Sequence, residues 1–413
     1  MVTTPRATLM PLAGALAQLL DAVVPVANTE QIDTLEADGR VLAQDVVSAL
    51  QVPPQDNSSM DGYAVRTQEV LQGAPLPVSQ RIAAGTAGMP LQTGTVARIF
   101  TGAPVPEGAD AVVAQEDCIA LDASDGPARI QFQSMPIPGQ WIRRAGEDVQ
   151  RGAVVLALGQ RLGPAEVGLA AGVGMASLAV LRRARVALFS TGDELVMPGA
   201  IAPQDMPAGA IYNSNRFFLR DLLRRLGCVV TDYGIVPDQR EATVEALRSA
   251  AQTHDLILTS GGVSVGEEDH IKPAVQSLGS LDLWQIAIKP GKPFAHGRVG
   301  AAHFIGLPGN PVSSFVTFLL LVRPFLLRLQ GVQDVAPTSV AMRADFDWPK
   351  ADKRQEFLRV RRNAQGGLEL FPNQSSGVLT SLVWGDGLVD TPAGQPIAYG
   401  DTVRFLSFAE LLA

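Results

Sequence analysis

From Arg185 to Gln330, short apolar runs alternate with helix-like stretches, and the runs end in polar loops rich in glycine or proline. Val186 to Phe189 reads as a strand ending in Ser190-Thr191-Gly192-Asp193-Glu194. Cys228 to Gly234, Leu256 to Thr259 and His303 to Gly306 read as further strands. Helices are predicted over Arg216 to Leu226, Gln239 to Gln252 and Val312 to Gln330, with Asn213 and Ser214 offering caps to the first and Gly227 its stop. Alternation at this spacing predicts a parallel α/β sheet covered on both faces. Ligands of such sheets sit beyond the carboxyl ends of the strands, where these loops fall.

The flanks read differently. Residues 52–141 are rich in Gly, Pro and short β-prone runs such as Ala111 to Ala114 and Arg129 to Phe132, which predicts a small, mostly β lobe. Segments 27–51 and 142–178 come together as one linking unit that carries this lobe as an insertion. Residues 1–26 hold an apolar stretch, Leu9 to Val26, interrupted by Gln18 and Asp21; its helical spacing predicts an amphipathic helix packed on the α/β domain, which spans 179–330. After Gly331 the pattern turns β-like, with Arg359 to Arg361 and Pro396 to Phe405 as strands, so 331–413 forms a C-terminal β domain.

Charge and cysteine content exclude several classes. A net charge of -8 lacks the electrostatic footprint of a nucleic-acid binder. Any anionic ligand must be held by loop amides, helix N-termini and a few placed cations. Cys118 and Cys228 build neither a disulfide framework nor a cysteine-based zinc site, which fits a reducing cytoplasm. The run Phe315 to Val322 meets Arg323 and Pro324 too soon to span a bilayer and reads as a buried helix, so no membrane role is expected.

Three loops carry candidate chemistry. Thr259-Ser260-Gly261-Gly262-Val263-Ser264-Val265-Gly266 follows a strand and leads to Glu267, Glu268 and Asp269. Its glycines permit a tight turn that points amides at an anion, although an ordinary strand-end turn reads the same way. Lys289 and Lys292 sit on a stiff frame, Lys289-Pro290-Gly291-Lys292-Pro293, suited to contacts with an oxyanion. Leu307-Pro308-Gly309-Asn310-Pro311 places Pro311 in the first turn of a long helix, whose free amides and positive dipole end also face an anion. The loop carboxylates Asp193, Glu194, Glu267, Glu268, Asp269 and Asp61 are each ordinary turn formers alone. Brought together, they suit Mg²⁺ or an oriented water.

In chain order, Asn57-Ser58-Ser59-Met60-Asp61-Gly62-Tyr63-Ala64, Thr101-Gly102-Ala103-Pro104-Val105-Pro106, Arg144-Ala145-Gly146-Glu147-Asp148, Ser190 to Leu195, Ser260 to Ser264, Lys289 to Pro293 and Gly306 to Pro311 resemble the MoeA family, including the corresponding domain of gephyrin. The match runs across most of the chain and is looser over the first 50 residues and the last 80. The resemblance implies a multi-domain α/β protein with a central MoaB/Mog-like domain, a small β lobe and a C-terminal β-barrel-like domain. It implies an enzyme that takes adenylylated molybdopterin and molybdate, splits the phosphoanhydride with Mg²⁺, and releases molybdenum cofactor and AMP. It also implies a homodimer, with the cleft between the α/β domain of one subunit and the lobe of the other.

Carried onto this sequence, the resemblance makes Asp61, Thr101, Asp148, Glu194 and Asp269 the polar catalytic set, with Glu194 and Asp269 on the metal or the attacking water. Ser260, Gly261, Gly262, Ser264, Lys289, Lys292, Pro308 and Pro311 bind substrate, and Arg359 and Ser376 lie near molybdate. Further partners implied are the molybdopterin adenylyltransferase and cofactor-modifying or acceptor enzymes. Gln285 departs from the pattern, standing where some relatives carry lysine. Two other readings compete: an ATP-dependent adenylyltransferase, which is much shorter and lacks the N-terminal segments, and a scaffold like the receptor-clustering side of gephyrin.

Overall fold

The computed structural model describes residues 9–121, 126–236, 239–262 and 271–412. Its α/β domain is built on a six-stranded sheet. Arg185–Ser190 lies between Val229–Ile235 and Leu256–Ser260, and Leu256–Ser260 pairs in turn with Ala302–Leu307, all in parallel. These strands are apolar along their length because both faces are covered: Val186, Leu188, Leu256, Ile257 and Leu258 are all fully buried. The two remaining strands depart from the purely parallel expectation. Pro293–Val299 runs antiparallel to Ala302–Leu307, and Gly279–Gln285 antiparallel to Pro293–Val299. This edge hairpin sends its connecting loop, residues 286–292, back to the same end of the sheet as the polar loops of the parallel strands.

Helix Asn215–Arg225 buries Leu219, Leu222 and Leu223 on one face and carries Arg224 and Arg225 in its last turn, where cations suit the dipole. Helix Arg240–Ala251 covers the sheet at Leu247 and Ala250. The helical run from Pro311 to Leu329 is long and apolar enough to cross a membrane, yet it lies almost wholly inside the fold. Its middle, Phe318–Val322, is π-helical and stands just before Pro324. An i→i+5 pattern lets a later N–H serve the carbonyl that proline, lacking its own N–H, leaves open. Helix Leu12–Asp21 seats Ala15 and Leu19 in the same core. The chain before it is stitched to the sheet edge by Met10 N to Gln285 O and Ala287 N to Met10 O.

The linking unit pairs Thr29–Asp33 with Ser177–Leu181 and Val46–Val47 with Val154–Leu156. The lobe holds a six-stranded sheet with apolar clusters on both faces, around Ile99 on one and Val113 on the other. In the C-terminal domain, Gln355–Arg362 lies next to Gly387–Thr391, which pairs with Thr402–Ser407. A two-residue strand from the α/β domain, Ile288–Lys289, extends this sheet in parallel with Gln355–Arg362.

Candidate active site

Three adjacent parallel strands end level with one another: Ser190 is opposite Ser260, and Ser260 opposite Leu307. Their loops therefore enter one space, a cavity of about 630 Å³. Thr191, Glu194, Ser260, Gly261, Pro308 and Pro311 all line it. Gly261 is required here. Its φ is +93°, and a Cβ would come within 2.7 Å of the Thr191 carbonyl oxygen. That close approach lets two strand-end loops share one wall.

The C-terminal domain closes the far side with Gly377 and Leu379. The amide of Val312, in the first turn of the long helix, donates to Ser376 O at 3.0 Å, so one helix-terminal donor is spent on fixing this segment. Behind the segment lies Arg359, 1% exposed, which does not line the cavity. Its guanidinium donates to Ser375 O at 3.2 Å and Ser381 Oγ at 3.2 Å and pairs with no carboxylate among the described residues. Burial lowers its pKa to about 10, which leaves it cationic at neutral pH. A buried cation of this kind adds positive potential to the wall facing the cavity.

The structure separates the two lysines. Lys289 Nζ lies 3.0 Å from Glu356 Oε1 and 3.5 Å from Asp352 Oδ2, carboxylates of the C-terminal domain. It thus ties the 286–292 loop to that domain. Lys292 is exposed and has no ion pair among the described residues. Gly291 holds the frame against the long helix, where a side chain would overlap the Thr317 hydroxyl. Pro293 reaches the cavity.

Glu194 is exposed on the cavity rim, and its carboxylate has no ion-pair partner among the described residues. Ser264 and Asp269, with Glu267 and Glu268, lie outside the described residues; Gly262 is the last described residue of its loop. Among the described residues, no group of three or more His, Cys, Asp or Glu side chains is arranged to hold a metal.

Asp61, Thr101 and Asp148 are not among the residues lining this cavity. Asp61 and Thr101 meet on the lobe: Asp61 Oδ1 accepts from Thr101 N and Thr101 Oγ1, both at 2.8 Å. The Thr101 amide, then its hydroxyl, hold the Asp61 carboxyl below its ordinary value, helped by nearby Arg98. Asp148 is exposed, and its amide donates to Val52 O at 3.0 Å. Its neighbourhood is braced by Asp56, which accepts from Ala145 N at 2.8 Å and pairs with Arg144 at 2.7 Å.

Sequence reasoning named Asn213 as a cap and passed over Asn215. Asn213 does act as a cap, its Oδ1 accepting from Arg216 N at 3.2 Å, while Ser214 makes no side-chain cap bond. Asn215 lines the cavity as well. The available signal was a second asparagine one turn position beyond a cap already supplied.

Comparison with known proteins agrees along the whole chain. Residues 10–174 match the family described as MoeA N-terminal region (domain I and II). Residues 187–328 match a family described as "Probable molybdopterin binding domain", and 341–408 the MoeA C-terminal region (domain IV). A protein of Haemophilus influenzae named molybdopterin molybdenumtransferase is 41% identical over 98% of this chain and 100% of its own length. Molybdopterin molybdenumtransferase 2 of Mycobacterium tuberculosis is 37% identical over 91% of this chain and 93% of its own. A crystal structure of the molybdopterin biosynthesis moeA protein from Pyrococcus horikoshii superposes with a TM-score of 0.82 at 28% identity, covering 97% of this chain and all of that one.

Proposed function

The chain belongs to the MoeA family, and from that premise we propose that it is a molybdopterin molybdenumtransferase which consumes adenylylated molybdopterin and molybdate and releases molybdenum cofactor and AMP with Mg²⁺. The observation that carries this reading is the single cavity of about 630 Å³ into which Glu194, Ser260, Gly261, Pro308, Pro311 and Gly377 converge. Its size suits a nucleotide-bearing ligand.

Splitting a phosphoanhydride builds negative charge on phosphate oxygens, and donors fixed in advance stabilise that charge most. Here the donors are the Ser260 hydroxyl, the Gly262 amide and the first turn of the helix beginning at Pro311, while Gly261, whose own amide donates to Leu307 O at 3.1 Å, shapes the turn that brings them to the ligand. Pro308 and Pro311 keep that turn stiff. Lys292 supplies an exposed cation, and Lys289 holds the loop that presents it. Ser264 is assigned to the same ligand contacts by its place in the sequence motif alone. Arg359 and Ser376 take the molybdate side, with Arg359 acting through its charge from behind the 375–377 segment.

The donor set fits magnesium. Glu194 offers a hard oxygen at the rim with no ion-pair partner among the described residues, and Mg²⁺ takes one or two carboxylates together with phosphate oxygens. Glu194 would hold it with Asp269, and the ion when bound would neutralise charge on the phosphates. Asp61 and Thr101 act in our reading from the lobe of a second copy, in a homodimer, with Asp148 on the linking unit beside that lobe.

The deciding experiment is AMP release by purified protein from adenylylated molybdopterin and Mg²⁺, with and without molybdate. Molybdate-dependent release, with a product that activates a molybdoenzyme, is expected. Substrate that binds but stays intact in both conditions would rule out the transferase reading and leave a carrier.

A further inference from the structure

Asn215 opens the helix Asn215–Arg225 and is 9% exposed. Its Nδ2 donates to Gly309 O at 2.6 Å and to Ser260 Oγ at 2.8 Å. A carbonyl oxygen can only accept, so the Gly309 contact fixes which end of the amide faces the two loops. One amide hydrogen goes to Gly309, the other to Ser260 Oγ. The Ser260 oxygen is thereby an acceptor, and its own proton must go elsewhere. No protein group accepts that proton among the described residues. Ser260 is 4% exposed and lines the cavity. A buried hydroxyl proton without an acceptor is costly, and the cost is removed by an acceptor-rich ligand such as a phosphate.

We propose that Asn215 is a positioning residue that aims the Ser260 hydroxyl proton into the cavity, so that Ser260 donates to a phosphate oxygen of the bound ligand. The inference rests on the phosphate-cleaving reading above and adds to it a means of setting proton direction. The same amide clamps the end of the Leu256–Ser260 strand to the turn after Ala302–Leu307, so it also sets the spacing of the two loops that hold the anion.

The test is a double-mutant cycle on the full chain, reading AMP and adenosine affinity by calorimetry and kcat and KM for AMP release. Asn215→Ala and Ser260→Ala should each weaken AMP binding about tenfold, the scale of a lost hydrogen bond to a charged group. The double variant should lose no more than either single. Adenosine, which lacks the phosphate, should bind all variants alike. Asn215→Asp is nearly isosteric, but its carboxylate accepts the Ser260 proton and turns it away from the ligand. It should therefore bind AMP more weakly than Asn215→Ala, and the gap should narrow when Ser260 is already alanine. If Asn215→Ala does not fold, Asn215→Asp with and without Ser260→Ala carries the same comparison.

Additive losses, or equal weakening for AMP and adenosine, would overturn the inference and leave the transferase reading intact. Wild-type protein that binds no AMP overturns it as well. An intact cycle for AMP in a protein that never cleaves adenylylated molybdopterin would leave the Ser260 assignment standing and sink the reaction.

Discussion

The cavity of the α/β domain and the Asp61–Thr101 pair of the lobe are built on opposite principles. The lobe pair is complete by itself: one carboxylate oxygen takes both bonds from Thr101, within a single domain. The cavity is a joint product. It needs the level ending of three strands, the Asn215 clamp, and the C-terminal domain held by Val312 to Ser376 and Lys289 to Glu356. A unit preset by its own hydrogen bonds can approach a ligand as a rigid body. A wall drawn from two domains is lost if either moves. The lobe is therefore suited to arrive from elsewhere, and the cavity to stay in place.

The largest expected effect breaks this comparison directly. Glu194→Gln and Asp61→Asn should each lower AMP release on the order of 100-fold or more as homodimers, the scale seen when a group stabilising transition-state charge is lost. If two copies pair as proposed, with each lobe serving the other's cavity, a co-expressed mixed dimer has one cleft with both lesions and one with neither. Mixed dimers should then recover about half the wild-type rate if the lobe works across subunits. No recovery would place Asp61 and Glu194 in the same chain's cleft, and an Asp61→Asn homodimer that keeps the wild-type rate would put Asp61 outside catalysis.

Next comes acid. His303 is 4% exposed, its ring stacked near His296 and edge-on to Phe325. Burial, with Arg298 and His296 nearby, lowers its pKa to about 4 from 6.5. A base whose folded pKa is depressed is neutral in the native state and binds its proton more readily when unfolded. Its contribution is fully present above about pH 6.5 and is lost as pH falls toward 4, up to about 3 kcal/mol. The lobe carboxylates Asp61 and Asp56 are shifted down instead, so they keep their charge over this window. Hydrogen exchange at pH 5 should therefore accelerate in the α/β domain before the lobe, and His303→Phe should flatten that difference. Equal protection of both regions down to pH 4 would remove His303 as the cause.

Arg359 gives a smaller effect with two signs. Replacing a buried, carboxylate-free cation by a side chain of similar length removes a desolvation cost, so Arg359→Met should melt no lower than wild type. The molybdate concentration for half-maximal AMP release should rise on the order of tenfold, the scale of one unit charge removed roughly 10 Å away at an effective dielectric of about 20. A destabilised variant with unchanged molybdate dependence would make Arg359 a structural prop for residues 375–377 and nothing more.

Much of this was readable beforehand, for physical reasons that also mark where reading stops. Val186 to Phe189 and Leu256 to Thr259 are continuous apolar runs because parallel strands are covered on both faces, so the α/β core and its loop-bearing edge were legible. The strand Gly279–Gln285 carries Ser280, Asp282 and Gln285, and the Pro/Gly frame of 289–293 resembles loop, so the antiparallel hairpin left no clear pattern. Yet that hairpin is what delivers Lys289 and Lys292 to the ligand end of the sheet. The Lys289–Glu356 contact had no local signature, since nothing in either neighbourhood requires the other. Asn215 was hidden for a different reason: asparagine at a helix start already has an explanation as a cap.

The smallest expected effect tests whether the lobe pair is as self-contained as its hydrogen bonds imply. Thr101→Val deletes the hydroxyl but keeps the backbone N–H, which is the larger of the two forces holding the Asp61 carboxyl low. The Asp61 titration should therefore move only part of the way up toward its ordinary value, as followed by carboxyl carbon NMR. A carboxylate whose folded pKa is lowered favours the native state above its ordinary range and loses that advantage as pH falls, so the variant should forfeit it slightly earlier in acid. AMP release near neutral pH should drop only about twofold to fivefold, because Asp61 stays ionised and oriented by one bond. A loss as large as that of Asp61→Asn would mean that the Thr101 hydroxyl itself meets the substrate. The lobe would then be an incomplete half-site like the cavity, and the contrast between a preset unit and an assembled wall would fall.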